Sequence, residues 1–291
     1  LSALVRHERM SVFAELNTLL YLGVVTCVAG IGWTIKDHFA RLGDAAILSA
    51  LTAVFVLCIA YAFSRSRPYS HGRVESPNFA FDYVLYLGCL VFGVELGFLE
   101  FRFHLLQDRW DNYLLLSAFV YFVLAYRFDN RFVLSLALST LAGWFGIEIT
   151  RFFPFSLHTL RADALLYGAL VAGAGSALDR MGIKRHFLEA YLHLAANVLF
   201  IALLSGVFDG THESWYLLGL LVLSGVAIAS GVRFKTFAFV FYGIVYGYIG
   251  VSAKLLRQID TFTAALAYVV VSGAIVIVSL VVLARRFGRE E

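Results

Sequence analysis

Charge is what this 291-residue chain has least of: Asp, Glu, Lys and Arg make up 15% of it, where a water-soluble domain carries about 25% to cover its surface. A soluble globule is thereby excluded. Proline is scarce too, with three residues at positions 68, 77 and 154. None falls at the mid-depth of an apolar run, so nothing predicts a Pro-broken helix. Cys27, Cys58 and Cys89 all fall inside apolar runs, where thiols pack as small apolar groups, so they provide no disulfide framework and no sign of compartment. Enzyme signatures are missing. The chain has no H-E-x-x-H, no G-x-S-x-G and no P-loop. Its basic residues form no stripe, which excludes a nucleic-acid partner, and the net charge of +3 carries little beyond membrane topology.

What the chain has is hydrophobic length. Sixty per cent of it is hydrophobic, and the runs predict about ten membrane spans, at 17–35, 44–64, 79–99, 112–126, 131–147, 163–178, 188–208, 214–230, 235–251 and 262–284. A helix crosses the hydrocarbon layer in about 20 residues, and every backbone polar group there needs an internal partner, which leaves helices or a closed barrel. The run Val269–Leu283 lacks the in–out alternation of a barrel strand. The expected fold is all-α, a polytopic transmembrane bundle of five helical hairpins. Its domains are a cytoplasmic N-terminal segment at 1–16, one transmembrane domain at 17–284 and a cytoplasmic tail at 285–291. The chain opens with Leu1 rather than Met, which leaves room for residues upstream.

Basic residues set the expected orientation. The two tails and the connections on their side hold 15 of the 23 Lys and Arg, and the opposite side holds 8. Cytoplasmic connections retain Lys and Arg, so both termini are expected to face the cytoplasm of a bacterial inner membrane. Trp33, Trp110, Trp144 and Trp215 then form an outer aromatic belt. Two outer connections, Glu100–Asp111 and Glu148–Asp163, mix aromatic and charged residues as segments lying flat at an interface do. Gly168, Ala172 and Ser176, and less regularly Gly219, Leu223 and Ala227, place small residues where helices can approach closely.

Two groups of residues are candidates for chemistry. Glu189, His193 and Asn197 are each four apart at the start of the seventh span and share one helix face. Ionisable groups at depth face a bundle interior or a wet cavity, so this face is a candidate polar track for a proton, ion or small solute. The same residues also serve as interhelical glue in ordinary bundles. The second group, expected at the outer face, is Glu95, Glu100, Glu148, Arg151, Asp163, Lys254 and Arg257. It reads either as a charged vestibule or as a rim of paired surface charges, with Glu95 most in need of a partner because it lies within a span. No cofactor or metal is expected. A zinc centre needs three or four ligands, haem ligation lacks a clear intramembrane histidine pair, and no catalytic residue stands out.

The stretch Tyr21–Gly30, followed by Lys36-Asp37 and Arg41-Leu42-Gly43-Asp44, resembles a family of bacterial predicted membrane proteins, domain of unknown function 2157. The aromatic–glycine run Tyr242–Gly250 is similar in style. This resemblance implies a membrane domain, often with a small cytoplasmic segment before it, and no particular activity. His193-x-x-x-Asn197 also resembles one motif of the intramembrane CAAX-type proteases, but their Glu-Glu-x-x-x-Arg motif is absent. The functional expectation is a non-enzymatic, permease-like protein moving a small solute or ion. Two alternatives stand beside it: a non-catalytic accessory subunit of a larger membrane complex, and a membrane enzyme using the two outer connections as its active face. The expected partners are the lipid bilayer and, on the subunit reading, other membrane subunits.

Overall fold

The computed structural model describes residues 22–30, 33, 43–152, 157–210 and 212–287. The expected segment 1–16, the ends of the first span, the Lys36-Asp37 and Arg41-Leu42 positions and the tail at 288–291 lie outside the described residues. A helical stretch at 22–30 (α1) is followed by α2 (Asp44–Arg65), α3 (Phe79–Phe103), α4 (Asn112–Phe128), α5 (Arg131–Phe152), α6 (Leu157–Arg180), α7 (Leu188–Asp209), α8 (Glu213–Arg233), α9 (Phe237–Leu256) and α10 (Phe262–Phe287). Short 3₁₀ turns sit at Gln107–Arg109 and Arg185–Phe187, and no strand occurs among the described residues. The fold is all-helical, in line with a membrane bundle.

Among the described residues, six segments are long and apolar enough to cross a membrane: α2, α3, Arg185–Asp209, α8, α9 and α10. The apolar α4 is shorter, at 17 residues. One expectation is corrected. Glu148–Asp163 is shorter as a connection than expected, because α5 continues to Phe152 and α6 begins at Leu157. Both helices extend beyond their apolar cores. α3 likewise runs to Phe103 and ends where His104 turns left-handed, at φ 48°.

Local signals fix the helix ends. The Asn78 side chain accepts a hydrogen bond from the Phe81 N–H at 2.8 Å and caps α3. Asp129 at φ 58° terminates α4. Pro68 and Pro77 sit in the connection between α2 and α3, where no helical N–H is needed.

The chain divides into two compact units, one from the N-terminal side through Trp144 together with Leu178–Phe187, the other Phe145–Ala177 together with Leu188 onward. In the first, α2 packs along α3, burying Ile47, Leu51, Val91 and Phe98. Gly88 makes this possible, since a Cβ there would lie 2.9 Å from that of Cys58. In the second, α7, α8 and α9 enclose Phe200, Val207, Leu220 and Ala227. Glycines again set the approach of helices. A Cβ on Gly243 would meet the Ser224 carbonyl oxygen at 2.7 Å, and one on Gly168 would meet Leu199 Cγ at 2.7 Å. α10 packs on α9 and contributes no buried residue.

Candidate functional site

A pocket of about 390 Å³ opens among α3, α4 and α5 in the first unit. Two glycines one helical turn apart on α3 shape it: Gly97 leaves open space, and Gly93 lets the Tyr121 hydroxyl approach, since a Cβ there would lie 3.0 Å from it. A Cβ at Gly97 would meet nothing within 4 Å. The wall is largely apolar and aromatic, with Leu96, Phe101 and Leu114 joined by Trp110, Tyr113 and Tyr121. Hydroxyls of Ser117 and Thr140 add polarity, and the one charged lining side chain among the described residues is Glu100. Glu100 is held in place because its Oε2 accepts the Leu106 N–H at 3.1 Å just beyond the α3 terminus. Tyr121, 2% exposed, donates its hydroxyl to the Cys89 carbonyl at 2.7 Å, so the floor of the pocket is fixed.

The expected α7 track does share one face, which α9 covers in part: Glu189 is exposed, and His193 and Asn197 are half-buried. His193 stacks on Phe239 of α9 at 4.7 Å between ring centroids and meets Tyr242 edge-on at 5.7 Å. The Asn197 amide donates to the His193 carbonyl at 2.8 Å and accepts from the Tyr246 hydroxyl at 3.1 Å. Glu189, at the start of the row, approaches His193 Nε2 at 3.7 Å. His193 Nδ1 is buried with no hydrogen-bond partner among the described residues. The row is therefore bound to α9 by aromatic faces and one interhelical hydrogen bond.

The second expected group is divided between the units. Glu95 and Glu100 belong to the first. Glu95 is 9% exposed and receives the Thr52 hydroxyl of α2, the partner its position required. Glu148, Asp163, Lys254 and Arg257 belong to the second unit, and the Arg151 side chain lies outside the described residues. Arg257 pairs with Glu213 at 2.8 Å and donates to the Val207 and Phe208 carbonyls at 3.1 and 2.7 Å, capping the end of α7. Lys254 reaches the Ser214 hydroxyl at 3.5 Å. Asp163 Oδ2 is buried without a hydrogen-bond partner among the described residues.

Two polar clusters were not among the candidate residues. In the first unit, Asp129 accepts the Val74 N–H, meets His186 Nε2 and pairs with Lys184 at 3.0 Å. Next to it, Asn130 donates to Asp82 at 2.9 Å and to the Tyr86 hydroxyl at 3.1 Å. In the second unit, Arg161 pairs with Asp209 at 3.0 Å and donates to Ser205 at 3.1 Å, its side chain 4% exposed. The sequence signals were an Asp-Asn pair directly after an aromatic span and a charge two residues before the expected start of the sixth. No group of three or more His, Cys, Asp or Glu fit to hold a metal occurs among the described residues.

A family model described as Predicted membrane protein (DUF2157) matches residues 2–134. The matched region takes in α2, α3 and α4, and so most of the pocket wall and Asp129. No curated protein and no solved structure matches the chain.

Proposed function

We propose that this membrane protein is permease-like and admits a small solute through the pocket among α3, α4 and α5. The supporting observation is the pocket itself: a cavity of about 390 Å³ between apolar helices, with a single carboxylate in its lining among the described residues. Ligand sites are concave and mostly apolar, with few placed polar groups, and transporters set theirs between membrane helices. The α7 row has a different part in this reading. Its contacts with α9 join the helices of the second unit, and His193 sits within that joint. The excess of Lys and Arg on one side supports both termini facing the cytoplasm of a bacterial inner membrane. No step of bond making or breaking is assigned to the protein.

The test is uptake by proteoliposomes holding the purified full chain, using labelled cationic, anionic and uncharged small solutes. Accumulation above empty vesicles, reduced when Gly97→Leu fills the pocket, is the expected result. Absence of accumulation for all three classes discards transport.

The second reading, an accessory subunit of a membrane complex, draws on α10. That helix carries Val270, Val271, Ile275, Ile277 and Val278 at 60–63% exposure and contributes no buried residue, so the face turned from α9 can meet lipid or another subunit. Native purification with other chains in fixed stoichiometry would favour it.

A further inference from the structure

We propose that the α3–α4–α5 pocket binds a substituted ammonium group, with Glu100 as its counter-ion and Trp110 and Tyr113 as its aromatic walls. This rests on the pocket being the solute site of the permease-like reading, and it adds the chemical class of the solute. Three features of the lining point to it. The sole charged lining group among the described residues is an acid, so an anion would meet repulsion and a cation attraction. Aromatic rings line the same wall, and ring faces attract alkylammonium ions, most strongly where water is scarce. Leu96 and Leu114 beside two glycines take alkyl substituents, and one carboxylate with the Ser117 and Thr140 hydroxyls offers few oxygens to a small hydrated metal ion.

The arrangement is prepared before any ligand arrives. Glu100 is fixed through Leu106, and the residues carrying Trp110 and Tyr113 belong to the tight passage from the 3₁₀ turn into α4, where the Tyr113 N–H donates to the Trp110 carbonyl at 3.1 Å. Binding therefore costs little reordering of the acid or of the backbone that carries the rings. The ammonium group itself has two natural sources, a free organic cation or the headgroup of an aminophospholipid, and the same chemistry recognises both.

Equilibrium binding of labelled tetraethylammonium to the full chain in phosphatidylglycerol nanodiscs tests the proposal. Saturable binding is expected, weakened about tenfold by Glu100→Gln, which keeps the acceptor for Leu106 but removes the charge. Gly97→Leu should weaken it as much by occupying the space. Trp110→Leu supplies an independent variant should Glu100→Gln fail to fold. Unchanged affinity in Glu100→Gln or Gly97→Leu overturns the proposal, as does equal binding of hexanoate. Adding phosphatidylethanolamine to the nanodiscs separates the sources. Competition identifies the lipid headgroup, its absence identifies the free cation, and both support the ammonium class. Binding without proteoliposome uptake removes the transport reading and leaves this one standing. Uptake of anions or uncharged solutes without ammonium binding does the reverse.

Discussion

Asp129 and Lys184 pair at 3.0 Å with each side chain 1% exposed, and both residues adopt left-handed backbone conformations, at φ 58° and 46°. Burying two charges is costly unless each finds its full set of partners. Here the set is supplied. Asp129 also takes the Val74 N–H and His186, while Lys184 donates to the Gly72 carbonyl at 3.1 Å and lies 5.2 Å from the Tyr69 ring centroid. One ion pair thus holds the long 66–78 connection against the α4–α5 turn and the segment before α7.

Lys184→Met should therefore lower stability by about 3–5 kcal/mol, because it strands a buried carboxylate. Asp129→Asn should cost a similar amount. The double variant should lose clearly less than the two single losses added together, since neither charge is then left alone. Denaturant titration of the purified protein in detergent provides the comparison. Strict additivity would mean that the pair is not coupled.

Glycine contacts between α8 and α9 make a second prediction. Gly243→Ala puts a methyl group 2.7 Å from the Ser224 backbone oxygen, which cannot yield as a flexible side chain would. A loss of about 1–3 kcal/mol is expected. Gly225→Ala on α8 meets nothing within 4 Å and should stay within about 1 kcal/mol of the parent. Thermal melts of the two variants side by side decide the matter, and equal melting points would contradict the packing.

Apolar runs were sufficient to locate nine helices, often to within a residue or two, because length and hydropathy act locally. Asp44–Arg65 and Leu188–Asp209 illustrate this. Composition was a poorer guide where helices outlast their apolar cores, as at Phe152 and Leu157. The α7 face was legible for the same reason, since four-residue spacing is a helical property. Its covering by Phe239, Tyr242 and Tyr246 was not, because that depends on which helix lies opposite. Glu100 was picked out by its charge alone. The space it borders is open at Gly97 and closely approached by Tyr121 at Gly93, and in a sequence such residues look like any close-packing pair. Asp129 and Lys184 stand on separate connections, and nothing in their own neighbourhoods announced that they meet.

The Asn197–Tyr246 hydrogen bond separates two contributions to the α7–α9 joint. Tyr246→Phe deletes the hydroxyl and keeps the ring, which stacks on Phe200 at 4.7 Å and 5°. Interhelical hydrogen bonds in membrane proteins average about 0.6 kcal/mol, so the effect should be small. Tyr246→Ala also removes the ring and should cost about 3–5 kcal/mol. If Tyr246→Phe proved as damaging as Tyr246→Ala, the hydroxyl rather than the stack would hold the helices together.

Orientation can be checked at two exposed positions. Ser70 lies in the connection between α2 and α3, which is rich in Arg, and His212 lies before α8 in a connection without Lys or Arg. Basic connections stay on the cytoplasmic side, so single cysteines at these sites should differ in intact spheroplasts. With native Cys27, Cys58 and Cys89 replaced, His212→Cys should react with a membrane-impermeant maleimide, whereas Ser70→Cys should react only after the membrane is opened. Labelling of both from outside would require an odd number of crossings between α3 and the end of α7 to be replaced by an even one. That change would undo the hairpin order from which the common placement of the termini follows.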